Sequence, residues 1–286
     1  ADTPISGPIG IGHTRWATHG APSARNAHPH MSANGEVVVV HNGIVENFVA
    51  LREELQSEGI VFRSDTDTEI IAQLIERYLS AGESLREATR KAIGHLRGQH
   101  GIVVMSAREP DKLVAARVGN AGGGVRGGGE GEMFLASDMP ALLEHTRRMI
   151  FLESGQMAVI TRTGWQGWTL DGQPIALVPQ EVTWDPVAAE KGEYRHFMQK
   201  EIHEQVRTLG DTMGGRIDFL TGEVHLPDLN LTPELAHKIE RIVITACGTA
   251  AHAGMVGKIL IEHLARIPVE VDIASEFRYR DPILNE

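Results

Sequence analysis

Three short blocks near the start of the chain combine residue types that can hold a free amino acid and act on an amide. Gly12-His13-Thr14-Arg15-Trp16-Ala17-Thr18-His19-Gly20 is followed by Val40-His41-Asn42-Gly43 and then by Ser64-Asp65-Thr66-Asp67-Thr68. An arginine and an aspartate are what a site needs for the zwitterionic end of an amino acid. Guanidinium pairs with an α-carboxylate in a fork, and a carboxylate pairs with an α-ammonium. Asn-Gly behind an apolar strand adds a side-chain amide and a backbone N–H, which can converge where a tetrahedral intermediate carries its negative oxygen. Together the blocks read as part of an amide-hydrolysing site. Taken singly, Arg15 and Asp67 read as surface charges, Trp16 as core packing and Asn42-Gly43 as a hairpin turn.

The same blocks resemble the glutaminase domain of the glutamine–fructose-6-phosphate aminotransferases. The resemblance continues through Phe134-Leu135-Ala136-Ser137-Asp138, Tyr194-Arg195-His196-Phe197-Met198-Gln199-Lys200-Glu201-Ile202, Ala246-Cys247-Gly248-Thr249 and Ile273-Ala274-Ser275-Glu276-Phe277-Arg278-Tyr279-Arg280. It implies Arg15 as ligand of the glutamine α-carboxylate and Asp67 as ligand of the α-ammonium. It implies Trp16, Thr18 and His19 as pocket lining, and Asn42 and Gly43 as the oxyanion hole. The implied substrates are L-glutamine and fructose 6-phosphate, with no cofactor and no catalytic metal. The implied setting is a cytoplasmic enzyme that dimerises through its isomerase domain and makes glucosamine 6-phosphate. In that family an N-terminal cysteine supplies both the attacking thiol and the α-amino base. Here residue 1 is Ala1 and the only cysteine is Cys247. The expectation is therefore a fragment that carries glutamine-binding and oxyanion groups without the nucleophile, and that is inactive alone. Two other readings stay open: another type 2 glutamine amidotransferase, and a glutamine-binding or regulatory protein that has lost catalysis.

Composition narrows the partners. Twenty-seven basic against 38 acidic side chains give a net charge of −11, which opposes attraction to nucleic acid or anionic membranes. No apolar run approaches the roughly 20 residues that cross a bilayer. A single cysteine cannot form an internal disulfide, which fits a reducing compartment.

The elements that must position these groups are legible in the periodicity. Residues 9–16 and 36–41 read as strands, the second a valine run suited to burial on both faces. Residues 46–58 have helical spacing and stop at Gly59. Asp65 or Thr66 can cap the next helix, whose apolar positions are Ile70, Ile71, Leu74, Ile75 and Tyr78. Ser84 and Glu87 form a capping box for a third helix over 84–96. Strands follow near 101–106, 112–117, 133–136 and 156–162. Helices between two groups of strands suggest a layered α+β domain, and the resemblance implies the αββα sandwich of N-terminal-nucleophile hydrolases.

The expected organisation is a glutaminase domain over 1–170, a proline-bearing linker over 171–193, and connecting helices with the start of a sugar-isomerase (SIS) α/β domain over 194–286. The latter is predicted to hold helices over 194–213 and 232–240, then strand 241–246, helix 249–265 and strand 269–273, a βαβ unit. Its Cys247-Gly248-Thr249 turn places backbone N–H groups at a helix N-terminus, where phosphate binds readily. The resemblance implies Gly248 and Thr249 as part of a sugar-phosphate site. Ala250 stands where the family usually has serine, which removes one hydroxyl.

Two features invite other chemistry. His13, His19, His28, His30 and His41 match no standard zinc spacing and lack partner cysteines. The glycine-rich run from Asn120 to Gly129 lacks the Gly-Lys-Ser/Thr ending of a nucleotide loop and reads as a surface loop.

Overall fold

A computed structural model describes residues 7–15, 18–120, 131–183, 192–226, 229, 231–280 and 282–284, together with the backbone of 125–129. The chain divides into two compact units, Ala1–Glu193 and Tyr194–Glu286.

The first unit runs through β1 (His30–Met31), β2 (Val37–Gly43), α1 (Phe48–Ser57), α2 (Thr68–Ser80) and α3 (Leu85–Ile93). It continues through β3 (His100–Ser106), β4 (Lys112–Val118), β5 (Val125–Gly129), β6 (Glu132–Ala136) and β7 (Arg148–Phe151). Last come β8 (Gln156–Thr161), β9 (Gly164–Thr169), β10 (Pro174–Ile175) and β11 (Gln180–Glu181). One sheet has seven strands in the order β1-β2-β3-β4-β8-β9-β10, all antiparallel. A second has four in the order β11-β7-β5-β6.

The side-chain alternation of strands decides what fills each layer. Val37, Val39, Val104, Val114 and Met157 point to one face of the large sheet, where they meet Ile70, Ile71, Leu74 and Ile75 of α2 and Leu85 of α3. Ala115, Ala158 and Ile160 point to the other face and pack with Leu152, Met133 and Leu135. Phe134 and Ala136, the alternate residues of β6, face outward from the small sheet with Met149 and Phe151. They are covered by Leu142 and Leu143 in and beside a 3-10 turn, Met139–Leu142. The valine run of β2 thus lies between helices and a second sheet, as its composition predicts. Helix α2 buries nine of its thirteen residues, including the polar Thr68, Glu69 and Gln73.

Four local expectations change. The described part of 9–16, residues 9–15, forms no strand. Helix α2 starts at Thr68 with Asp67 at the cap position, yet no side chain caps it; the carboxylate is used elsewhere, as shown below. The glycine run is not a loop throughout, because Val125–Gly129 is a strand paired on both sides, with β6 and with β7. A ladder is made by backbone N–H and C=O groups, so a strand held by two neighbours can form from glycines despite their low strand propensity. Residues 121–124 and 130 lie outside the described residues. Finally, Pro174–Ile175 and Gln180–Glu181, in the stretch read as linker, edge the two sheets.

The second unit comprises α4 (Phe197–Met213), α5 (Pro233–Ala236), β12 (Ile242–Ala246), α6 (Gly248–Leu264), β13 (Val269–Ile273) and α7 (Ala274–Tyr279). β12 and β13 are parallel, with α6 as the crossover, so the predicted βαβ unit forms. A Cβ at Gly254 would lie 2.9 Å from Ile244, which lets α6 sit close on β12. Thr232 caps α5, its hydroxyl accepting from the Leu235 N–H at 3.3 Å, but the helix ends at Ala236, earlier than the spacing predicts. No helix among the described residues is long and apolar enough to cross a membrane.

Candidate active site

Arg15, Thr18, His19, Asn42, Gly43 and Asp67 all line one cavity of about 630 Å³ in the first unit. Trp16 lies outside the described residues. The cavity's opposite wall is Leu135, Ala136 and Ser137 at the end of β6.

Arg15 enters from the segment preceding β1. Its backbone is left-handed, with φ +56°, a conformation that costs a non-glycine residue about 1–2 kcal/mol. Two sets of bonds hold it. The Arg15 N–H donates to His13 Nδ1 at 2.9 Å. The guanidinium donates to the carbonyls of His19 at 2.7 Å, Gly20 at 2.8 Å and Ala21 at 3.3 Å. Five guanidinium N–H donors exceed these three contacts, so the charge is anchored and still has donors to offer.

Asp67 is buried, just ahead of α2. Its Oδ2 accepts the Val45 N–H at 2.7 Å, which ties α2 to the turn after β2. The same oxygen stands 3.9 Å from His19 Nδ1. That nitrogen is itself buried and has no hydrogen-bond partner, an unusual state for a buried polar atom. A carboxylate and an unpaired ring nitrogen therefore face the same small volume.

The position of Asp67 depends on Glu69, a carboxylate buried in the first turn of α2. It accepts the N–H of Arg63 at 2.8 Å, and both the N–H and the hydroxyl of Ser64 at 2.6 Å. Ser64 and His30 each bond Thr66 at 3.0 Å. These bonds hold the residues either side of Asp67 in place.

Asn42 and Gly43 are the last two residues of β2, so the pair is strand rather than hairpin turn. Gly43 has φ +143°, and a Cβ there would fall 2.1 Å from the Gln99 carbonyl oxygen and 2.9 Å from His41 Nε2. Only glycine fits. The Asn42 side chain is exposed at the cavity, while His41 beside it is buried.

Of the histidines that suggested a metal, His28, His30 and His41 reach hydroxyls of Thr68 and Thr66. The His13 and His28 rings lie 4.5 Å apart, and His28 and His30 4.8 Å apart. His28 and His41 both reach Thr68, and His41 also reaches His100. Burial pushes His28 down to about 3 and His41 well below its ordinary value, with neighbouring histidines lowering both further. These rings are neutral at pH 7. Among the described residues no three His, Cys, Asp or Glu side chains are grouped to hold a metal ion. Thr68 and Ser137 were not picked out from the sequence, although both sit inside motifs that were; His28 was singled out only as a possible metal ligand.

In the second unit, Gly248 opens α6 with φ +60°, and Cys247 at the cap position makes no side-chain cap bond. Gly248 and Thr249 are exposed. Cys247 is exposed as well, although free cysteine is among the residue types most often buried.

The glutamine amidotransferase domain model matches residues 13–144, which contain every assigned cavity residue, and the SIS domain model matches 234–286. The chain is 52% identical over 278 residues to the glutamine–fructose-6-phosphate aminotransferase (isomerising) of Symbiobacterium thermophilum, covering 97% of this chain and 45% of that protein. It is 49% identical to the enzyme so named from Caldanaerobacter subterraneus subsp. tengcongensis, covering 99% and 46%. For that of Clostridium acetobutylicum the figures are 47% identity, 100% and 46%. The chain spans a little under half the length of these relatives. On the order of its motifs, the two domain matches and this identity, the chain is a homologue of part of the glutamine–fructose-6-phosphate aminotransferases, a class II glutamine amidotransferase domain followed by SIS-domain sequence.

Proposed function

We propose that the cavity of the first unit binds L-glutamine by its amino-acid end and presents the side-chain amide to Asn42 and Gly43. Arg15 takes the α-carboxylate with its remaining N–H donors. Asp67 takes the α-ammonium, and His19 lines the pocket beside it. Thr18 and Trp16 line the pocket. The Asn42 amide and the Gly43 N–H hold the oxyanion when the carboxamide is attacked. The observation that carries this reading is that Arg15 and Asp67, a guanidinium and a carboxylate, line the same cavity as Asn42 and Gly43.

The 286 residues contain one cysteine, Cys247 of the second unit, so the role assigned to the first unit is glutamine binding and oxyanion stabilisation. The relatives' name supports fructose 6-phosphate as the ammonia acceptor of the longer enzyme. Backbone N–H groups at Gly248 and Thr249 supply part of its phosphate site, and residues 194–286 pair with a second copy of the chain. In this reading 1–170 is the glutaminase domain and 171–193 the connection.

Calorimetric titration with L-glutamine tests the proposal. Saturable binding that disappears in both Arg15→Ala and Asp67→Ala is the expected result. Heat of binding unchanged by either substitution, or no binding by the folded chain, overturns it.

A further inference from the structure

In the wall of the proposed glutamine pocket runs a chain of four side chains to which the proposed function assigns no role. The Thr68 hydroxyl lies 3.1 Å from His28 Nε2 and 3.0 Å from His41 Nδ1. His41 Nε2 lies 3.1 Å from His100 Nδ1. The outermost nitrogens, His28 Nδ1 and His100 Nε2, are buried and unpartnered. Thr68, His41 and His100 are buried; His28, His41 and Thr68 line the cavity.

Proton counting couples the four groups. A hydroxyl has one proton to donate, and a neutral imidazole carries one N–H and one lone pair. If Thr68 donates to His28 Nε2, then His41 must donate to Thr68 from Nδ1. Its Nε2 is then an acceptor for an N–H at His100 Nδ1. That arrangement leaves His28 with an unpaired N–H at Nδ1 and His100 with a lone pair at Nε2. Reversing every bond, with the lone pair at His28 and the unpaired N–H at His100, is the only other arrangement that also uses the hydroxyl proton; accepting from both rings would leave that buried proton without either histidine as partner, at a cost. Burial, which lowers the pKa of His28, His41 and His100, keeps all three rings in the neutral form that this counting requires.

We propose that Thr68 is a positioning residue whose hydroxyl sets opposite tautomers in His28 and His41, and so fixes the ring of His28 in the cavity wall. The same hydroxyl fastens three elements at one point: the segment carrying His28, strand β2 through His41, and the first turn of α2. Asp67 is the neighbouring residue in the chain. The consequence for glutamine rests on the proposed function, whereas the tautomer rule does not.

Nitrogen-15 NMR of histidine in the full chain tests the rule in the wild type. One, and only one, of His28 Nε2 and His41 Nδ1 carries a proton at pH 7; protons on both, or on neither, overturn the proposal. Thr68→Val removes the hydroxyl at nearly constant shape. It is expected to release the coupling of the two tautomers and to weaken glutamine binding about tenfold, the worth of one well-made hydrogen bond. Thr68→Ser, which keeps the hydroxyl, is expected to restore both. Unchanged tautomers in Thr68→Val overturn the rule, and changed tautomers with unchanged glutamine affinity overturn the positioning role. If the wild type binds no glutamine, the glutaminase reading fails and the positioning role fails with it, while the wild-type spectrum still decides the tautomer rule.

Discussion

Gly43 and Gly248 stand at comparable corners of the two units and differ in what surrounds them. Gly43 closes β2 ahead of the turn to α1, and Gly248 opens α6 just after β12; both have positive φ, +143° and +60°. At Gly43 an added Cβ would strike the Gln99 carbonyl oxygen at 2.1 Å, whereas at Gly248 it would meet nothing within 4 Å. The adjoining helix starts differ in the same way. The first turn of α2 is buried and hydrogen-bonded through Thr68 and Glu69, while that of α6 is exposed and uncapped by a side chain. The proposed glutamine pocket is thus held in shape by protein groups before any ligand arrives, a state that lowers the ordering cost of binding. The Gly248 turn offers backbone N–H groups to whatever approaches, with no packed shell to hold them.

The largest test of this contrast is Gly43→Ala, which combines a steric clash with backbone strain and is expected to destabilise the first unit by about 3 kcal/mol or more. Hydrogen exchange read by mass spectrometry should show the loss of protection in β2, β3 and α2 and none in α6; protection unchanged in β2 would refute the close approach to Gln99. Glu69→Gln comes next. It leaves one acceptor oxygen where two serve four donors, for an expected cost of about 2–3 kcal/mol in the same unit, measured as a shift in the urea midpoint.

Acid should also separate the units. The folded-state pKa of His28 lies near 3 and that of His41 well below the ordinary 6.5, so the unfolded chain binds protons that the folded chain refuses. The stability from these rings is full above pH 6.5 and is lost as the pH falls from there towards 3. Hydrogen exchange compared at pH 7.5 and 5, corrected for intrinsic rates, should show α2 and β2 loosening at the lower pH. An unchanged protection factor would mean that the rings are already charged.

Smaller effects are expected in the second unit. Gly248→Ala has room for its methyl group and meets only the left-handed backbone penalty, about 1–2 kcal/mol, confined to the start of α6. Thr232→Ala removes the Leu235 cap and should cost about 1 kcal/mol, seen as fraying of α5 alone. If Gly248→Ala proved as damaging as Gly43→Ala, the contrast between a packed and an open corner would collapse.

Much of this was written in residue order. The valine run of β2, the periodicity of α2 and α6, the Ser84 and Thr232 caps and the βαβ unit follow from local pattern, because alternation and capping act between residues a few positions apart. The six described cavity residues come from three motifs whose identities alone suggest amino-acid chemistry. What local pattern could not decide are the partners that come from elsewhere in the chain. The glycines of β5 form a strand only because β6 and β7 flank them. Asp65 or Thr66 reads as the cap of α2, yet Asp67 stands at that position and gives its carboxylate to Val45, 22 residues earlier. The histidines read as scattered until Thr68 and His100 link them across separations of 27 to 59 residues. Sequence fixes which groups are present and which short elements they favour; which hydrogen bond each buried polar group makes is settled only when the layers close and water is no longer available to satisfy it.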